Sequence, residues 1–101
     1  MPQFVLLTKL APESMQDPKA RRAMGKDWLG KVKSACPQVR WIAHYALLGP
    51  YDFLDIYEAP DVETAQKVAL ISRSGGATTV ESWPALPYDE FMRLFEGLSG
   101  S

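Results

Sequence analysis

Cysteine occurs once in 101 residues, at Cys36, and histidine once, at His44. One thiol can form no intrachain disulfide and no multi-cysteine metal site, which fits a reducing compartment. Cys36 is expected to be a small buried hydrophobe at a helix end. The amino-terminal MPQFVLLTKL has neither the basic start, long apolar run nor small-residue cleavage site of a signal peptide, and no stretch reaches the about 18 apolar residues of a membrane span. A cytoplasmic location and no membrane partner are the expectations. No excess of positive charge exists either: 11 basic against 12 acidic residues leave a net charge of −1, and the basic residues form no stripe. Nucleic acid is therefore not an expected partner.

What remains is an ordinary globular composition, 47% apolar and 23% charged. The length suits one domain spanning residues 1–101, burying roughly two thirds of its unfolded surface with no room for a second core. The segment QFVLLTK, residues 3–9, is apolar at both parities, as a strand covered on both faces would be. After a turn in LAPES, the segment from Pro18 to Ala35 places Ala20, Met24, Trp28, Val32 and Ala35 at helical spacing, with Lys19, Arg22, Lys26 and Lys33 off that arc and Asp17 as cap. Strands are predicted over Val39–Leu48 and Asp52–Glu58, joined as a hairpin at Gly49-Pro50. Asp61 caps a helix running to about Arg73, with Val62, Ala65, Ala69 and Ser72 on its inner face, and Gly75-Gly76 end it. ATTVESW, residues 77–83, makes a fourth strand. Pro87 opens a last helix with an apolar stripe of Tyr88, Phe91, Leu94, Phe95 and Leu98, and GLSGS frays from its end.

The order βαββαβ plus a carboxy-terminal helix implies an α+β, ferredoxin-like, four-stranded antiparallel sheet in the order 4-1-3-2, with both crossover helices on one face. The other face should then be polar, but both parities of the second and third strands are apolar in bulk. Exposing such a face would forgo roughly 1.5–3 kcal/mol for each large side chain left in water. A homodimer with sheets face to face removes that cost; the alternative is that the last helix folds over the face.

The strand FVLLTKL and the hairpin LLGPYDFLDIYEAPD, with the elements that follow, resemble the GYD-domain family: Gly49, Tyr51 and Asp52 match its Gly-x-Tyr-Asp pattern, and Glu58-Ala59-Pro60-Asp61 its usual strand exit. The resemblance implies the dimeric α/β barrel superfamily, whose members include cofactorless monooxygenases, muconolactone-isomerase-like enzymes and effector-binding domains of leucine-responsive regulators. It implies no established activity. DPKARRAMGKDWLGKVKSACP, residues 17–37, is the least family-like segment.

The Gly-Pro-Tyr-Asp corner has a sufficient structural explanation, with Gly49 free to take positive φ, Tyr51 plugging the sheet end and Asp52 stapling the hairpin. Its functional reading is that Tyr51 and Asp52 line the mouth of a ligand cavity. Asp55 is different, because a carboxylate between Leu54 and Ile56 in mid-strand needs a partner or a wet cavity. A two-residue Gly49-Pro50 loop sets His44 opposite Asp55, Ile42 opposite Tyr57 and Ala46 opposite Phe53; a four-residue loop displaces His44 to a diagonal, and a three-residue loop with a bulge sets Tyr45 there instead. If His44 and Asp55 share the dimer-facing surface, the carboxylate orients an acid/base imidazole in an apolar cavity ringed by Phe53 and Tyr57. The same pair would also serve as a satisfied contact inside an interface.

The expected function is a small-molecule-binding or sensor-like homodimeric module, with Tyr45, Tyr51, Asp52, Phe53 and Asp55 as ligand-contacting candidates and a small apolar or aromatic ligand. The alternative is a cofactor-independent isomerase or monooxygenase for a small aromatic or enolic compound, with His44 as acid/base, Asp55 as orienter and Tyr57 as hydrogen-bond donor. A third possibility is a purely structural interaction protein. No residue cluster calls for a metal or cofactor.

Overall fold

The computed structural model describes residues 1–99. The first apolar segment becomes β1, Gln3–Leu10, which lies in the interior of the sheet with buried residues on both faces. A 3-10 turn over Pro12–Met15 leads to α1, Pro18–Ala35. Its start is set by Asp17, whose side chain accepts a 3.1 Å bond from the Lys19 N–H, and by Pro18, which lacks the N–H that would go unpaired there. The helix stops at Cys36, buried as the sequence suggests, one residue before Pro37. The hairpin strands are β2, Arg40–Ala46, and β3, Phe53–Glu58. Asp61 caps α2, Val62–Ser74, and Gly76 at φ 104° reverses the chain into β4, Ala77–Ala85. α3, Tyr88–Ser99, completes the described chain.

The sheet order is β2-β3-β1-β4 with every neighbour antiparallel, the ferredoxin-like arrangement expected. β4 continues through Pro84, two residues past its predicted end, because an edge strand tolerates a residue that donates no ladder bond. Gly97 to Ser99 continue α3, where fraying was expected; residues 100 and 101 of that segment lie outside the described residues.

The core forms between one sheet face and the helices: Phe4 and Leu6 of β1, Tyr57 of β3 and Val80 of β4 meet Val32 of α1 and Val68 of α2. On α2 the buried face is Ala65, Val68, Ala69 and Ser72, whereas Val62 is exposed, contrary to the sequence reading. On α1 only Val32 is fully buried. Trp28 and Met24 are half-buried, and Ala20 and Ala35 face water. α1 packs on α2 and the 3-10 turn instead of lying flush on the sheet.

Among the described residues, no helix lies over the opposite sheet face. It carries Leu54, Ile56, Tyr45 and Trp83, the last two at least half exposed. α3 buries none of its residues, so the alternative in which it folds over that face of its own chain does not hold. Its Tyr88, Phe91, Leu94 and Phe95 are exposed.

Candidate functional site

The β2-β3 pairing decides what faces what. Ala46 pairs with Phe53, Tyr45 with Leu54 and His44 with Asp55, the register of a two-residue loop. The connection itself is longer, since Leu47 N–H donates to the Asp52 carbonyl at 2.8 Å and residues 48–51 turn beyond that closure. The register shifts between Trp41 and Ala43, so Trp41, and not Ile42, lies opposite Tyr57. One extra residue in β2 thus returns Trp41 and His44 to the same face, although their sequence parities differ.

That face is the helix side. β1 sets Leu6 between Asp55 and Ser82, and Phe4 beside Tyr57, all toward α1 and α2. The condition that His44 and Asp55 share the dimer-facing surface is therefore not met, and the pair lies on the helix side of the sheet. The physical reason is that Phe53, Asp55 and Tyr57 share a parity with the most buried residues of β1, and Leu54 and Ile56 take the open face.

Between α1 and this face lies a cavity of about 480 Å3, open on one side. Trp28, Trp41, Phe53 and Met24 provide apolar walls, and His44 and Asp55 line the sheet side. The Trp28 and Trp41 rings are 5.1 Å apart, and Trp41 lies 5.2 Å from Tyr57. Trp28 Nε1–H donates to Ser72 Oγ at 2.9 Å, whereas the buried Trp41 Nε1–H has no partner among the described residues. His44 Nδ1 is bonded to Asp55 Oδ1, and its ring stacks on Phe53 with centroids 5.5 Å apart. Burial pushes the Asp55 carboxyl above the usual carboxylate range, with His44 pulling in the other direction. Nδ1 committed to the carboxylate leaves Nε2 as the atom available to a guest.

The remaining candidates divide. Tyr57 shares the helix side but is fully buried behind the cavity, its hydroxyl 2.6 Å from Ser82 Oγ; burial raises its pKa. Tyr45 lies on the open face, 58% exposed. Tyr51 reaches Glu81 of β4, on that same open face, and Glu81 also accepts from Trp83 Nε1 at 3.0 Å. Asp52 accepts from Leu10 N–H at 2.8 Å and donates its own N–H to the Thr8 carbonyl at 2.8 Å, tying the hairpin to β1. Gly49 does not take positive φ, and a Cβ there would meet nothing within 4 Å, so its presence is not a conformational need of this chain. Among the described residues, no three His, Cys, Asp or Glu side chains group as a metal site, and no helix is long and apolar enough to cross a membrane.

Sequence reasoning missed the contribution of α1: Arg21, Arg22, Lys26 and Lys33 line the cavity along with Trp28 and Leu29. The signal was available as two adjacent helical rows, Arg21-Gly25-Trp28-Val32 and Arg22-Lys26-Leu29-Lys33, each stepping by four, three and four residues. The Arg21 guanidinium sits over the Phe53 ring, 5.4 Å from its centroid.

Comparison with known proteins adds a family and a fold. The GYD domain family matches residues 4–95. A Thermus thermophilus protein named glutamine synthetase and cystathionine beta-lyase binding protein is 41% identical over 49 residues, 48% of this chain and 52% of that one; the matched stretch spans about half of that relative. Among solved structures, a chlorite dismutase variant from Candidatus Nitrospira defluvii superposes with a TM-score of 0.67 at 17% identity, over 93% of this chain and 44% of that chain. A Thermobifida fusca protein of unknown function, described as dimeric and ferredoxin-like, superposes with a TM-score of 0.51 at 14% identity, over 85% of this chain and 90% of the other. At these identities the structural likeness concerns the fold alone.

Proposed function

The chain belongs to the GYD-domain family, and we propose that it acts as a homodimeric binding module that takes a small, largely aromatic molecule into the cavity between α1 and the sheet. The observation that carries this reading is the cavity itself, about 480 Å3 with indole and phenyl walls and a polar pair on one side, the exposed His44 bonded to the buried Asp55. Ligand sites commonly combine such a volume with apolar walls and few converging polar groups. The name of the Thermus thermophilus relative, a binding protein, agrees with a role in recognition. Homodimerisation is supported by two unsatisfied surfaces of one chain, the open sheet face with Tyr45 and Trp83 and the exposed apolar stripe of α3.

A neutral probe tests the pocket. Indole titrated into the protein is expected to give a saturable heat of binding in calorimetry and to raise the melting temperature. Gly25→Phe, which places a ring in the cavity wall at a helical position where a Cβ meets only the end of the Arg21 side chain, is expected to remove both effects. Indole binding that is absent, or unchanged by Gly25→Phe, would refute the reading.

A second reading, a cofactor-independent isomerase or monooxygenase, draws support from one observation: His44 lines the cavity while its other nitrogen is held by a buried carboxylate. In it His44 takes or returns a proton through Nε2 and Asp55 orients the ring. Tyr57 has no part, because its hydroxyl is on Ser82 behind the cavity wall.

A further inference from the structure

The cavity has an asymmetric charge lining that the choice of an aromatic guest leaves unused. Four cationic side chains from α1, Arg21, Arg22, Lys26 and Lys33, border it, and the only carboxylate on its wall among the described residues, Asp55, is buried and already bonded to His44. Among the described residues none of the four takes part in an ion pair; the lysine and arginine pairs there are Lys31 with Asp27 and Arg40 with Glu58. Arg22, Lys26 and Lys33 are exposed and Arg21 is half-buried on Phe53, so the positive charge is at the solvent side and the aromatic walls lie beneath it.

Resting on the binding reading above, we infer that the guest is a planar aromatic carboxylate, its ring system between the Trp28, Trp41 and Phe53 side chains and its carboxylate toward Arg21 and the exposed row of α1. The Arg21 guanidinium held over the Phe53 ring keeps its charge at the cavity, and the paired N–H groups of a guanidinium match the two oxygens of a carboxylate. A neutral guest would leave the row unpaired at no gain. A highly charged phosphate ester would find no glycine-rich cradle, since the cavity borders the middle of α1 and not its amino terminus.

The test compares two probes of one shape, 2-naphthoate and 2-naphthamide, titrated into the full chain at low ionic strength and followed by tryptophan quenching and calorimetry. The acid is expected to bind at least about tenfold tighter than the amide, with the difference shrinking as salt is added. In the variant Arg22→Gln/Lys26→Gln/Lys33→Gln, whose three positions are exposed and so do not threaten the fold, the ratio of acid to amide affinity is expected to fall by severalfold. Arg21→Gln should lower it further. Equal affinities for acid and amide in the unaltered protein, or a preference that survives both variants, overturns the carboxylate while the pocket stands. Failure of both probes to bind overturns the pocket and this inference together.

Discussion

His44 and Asp55 are direct partners across β2 and β3, yet the imidazole side chain is 63% exposed and the carboxylate 5%. A solvent-facing base therefore satisfies a buried acid. His44→Ala would leave that acid unpartnered, and an unfolding titration in urea at pH 7 is expected to show a loss of about 1–3 kcal/mol. The loss should fade on acidification, as protonation removes the charge that needed the partner. An equal loss at pH 7 and pH 4 would contradict the role assigned to His44.

Asp55→Asn should act in the opposite direction. Burial outweighs the pull of His44 and holds the Asp55 carboxyl above its ordinary value, so the folded chain retains that proton more firmly than the unfolded one. Its contribution to stability is complete below the ordinary carboxylate range and is lost as pH rises through the raised value. The amide mimics the protonated form, so Asp55→Asn is expected to melt above the unaltered protein at pH 7, with the gap closing toward pH 4. A variant that melts lower at neutral pH would show the charge to be stabilising.

The two turn glycines should respond differently to alanine. Gly76 is at φ 104°, where a Cβ is strained, and Gly76→Ala is expected to cost about 1 kcal/mol. Gly49→Ala should change the stability of the isolated chain by less than about 0.5 kcal/mol. Denaturant midpoints for the pair decide the matter, and a larger loss at Gly49 would mean that the hairpin corner requires glycine.

Association is testable without any ligand. Light scattering at micromolar concentration should give twice the chain mass, and Phe91→Asp combined with Phe95→Asp, both at exposed positions of α3, should shift the protein toward monomer without unfolding it. A monomeric unaltered protein would remove the support for a sheet-to-sheet partner.

The fold was legible because each boundary has a local chemical cause: Asp17 with Pro18, Asp61 with Thr64, and Gly76 at its turn are all readable from neighbours in sequence. The pairing of His44 with Asp55 was legible as well, by counting outward from Gly49-Pro50. The facing of that pair was not. Apolar residues occupy both parities of β1 and β3, so periodicity carries no sign for which side the helices cover, and only the assembled core supplies it. The bulge near Ile42 was invisible for a related reason, since no glycine or proline marks it. The basic rows of α1 read as a solvated helix face until the distance between helix and sheet was known. Exposure on a helix that stands clear of its sheet is exposure to a cavity as much as to bulk water.

The extra residue in β2 has a consequence for how such a chain could change. With Trp41 held opposite Tyr57, loss of a single codon at Ile42 would remove the bulge and leave Ala43 opposite Ile56 and the chain's only imidazole opposite Asp55, because the residue lost is the one that pairs with nothing. A lineage could thus straighten this edge strand by indel alone and keep the ionisable side chain at its cavity wall.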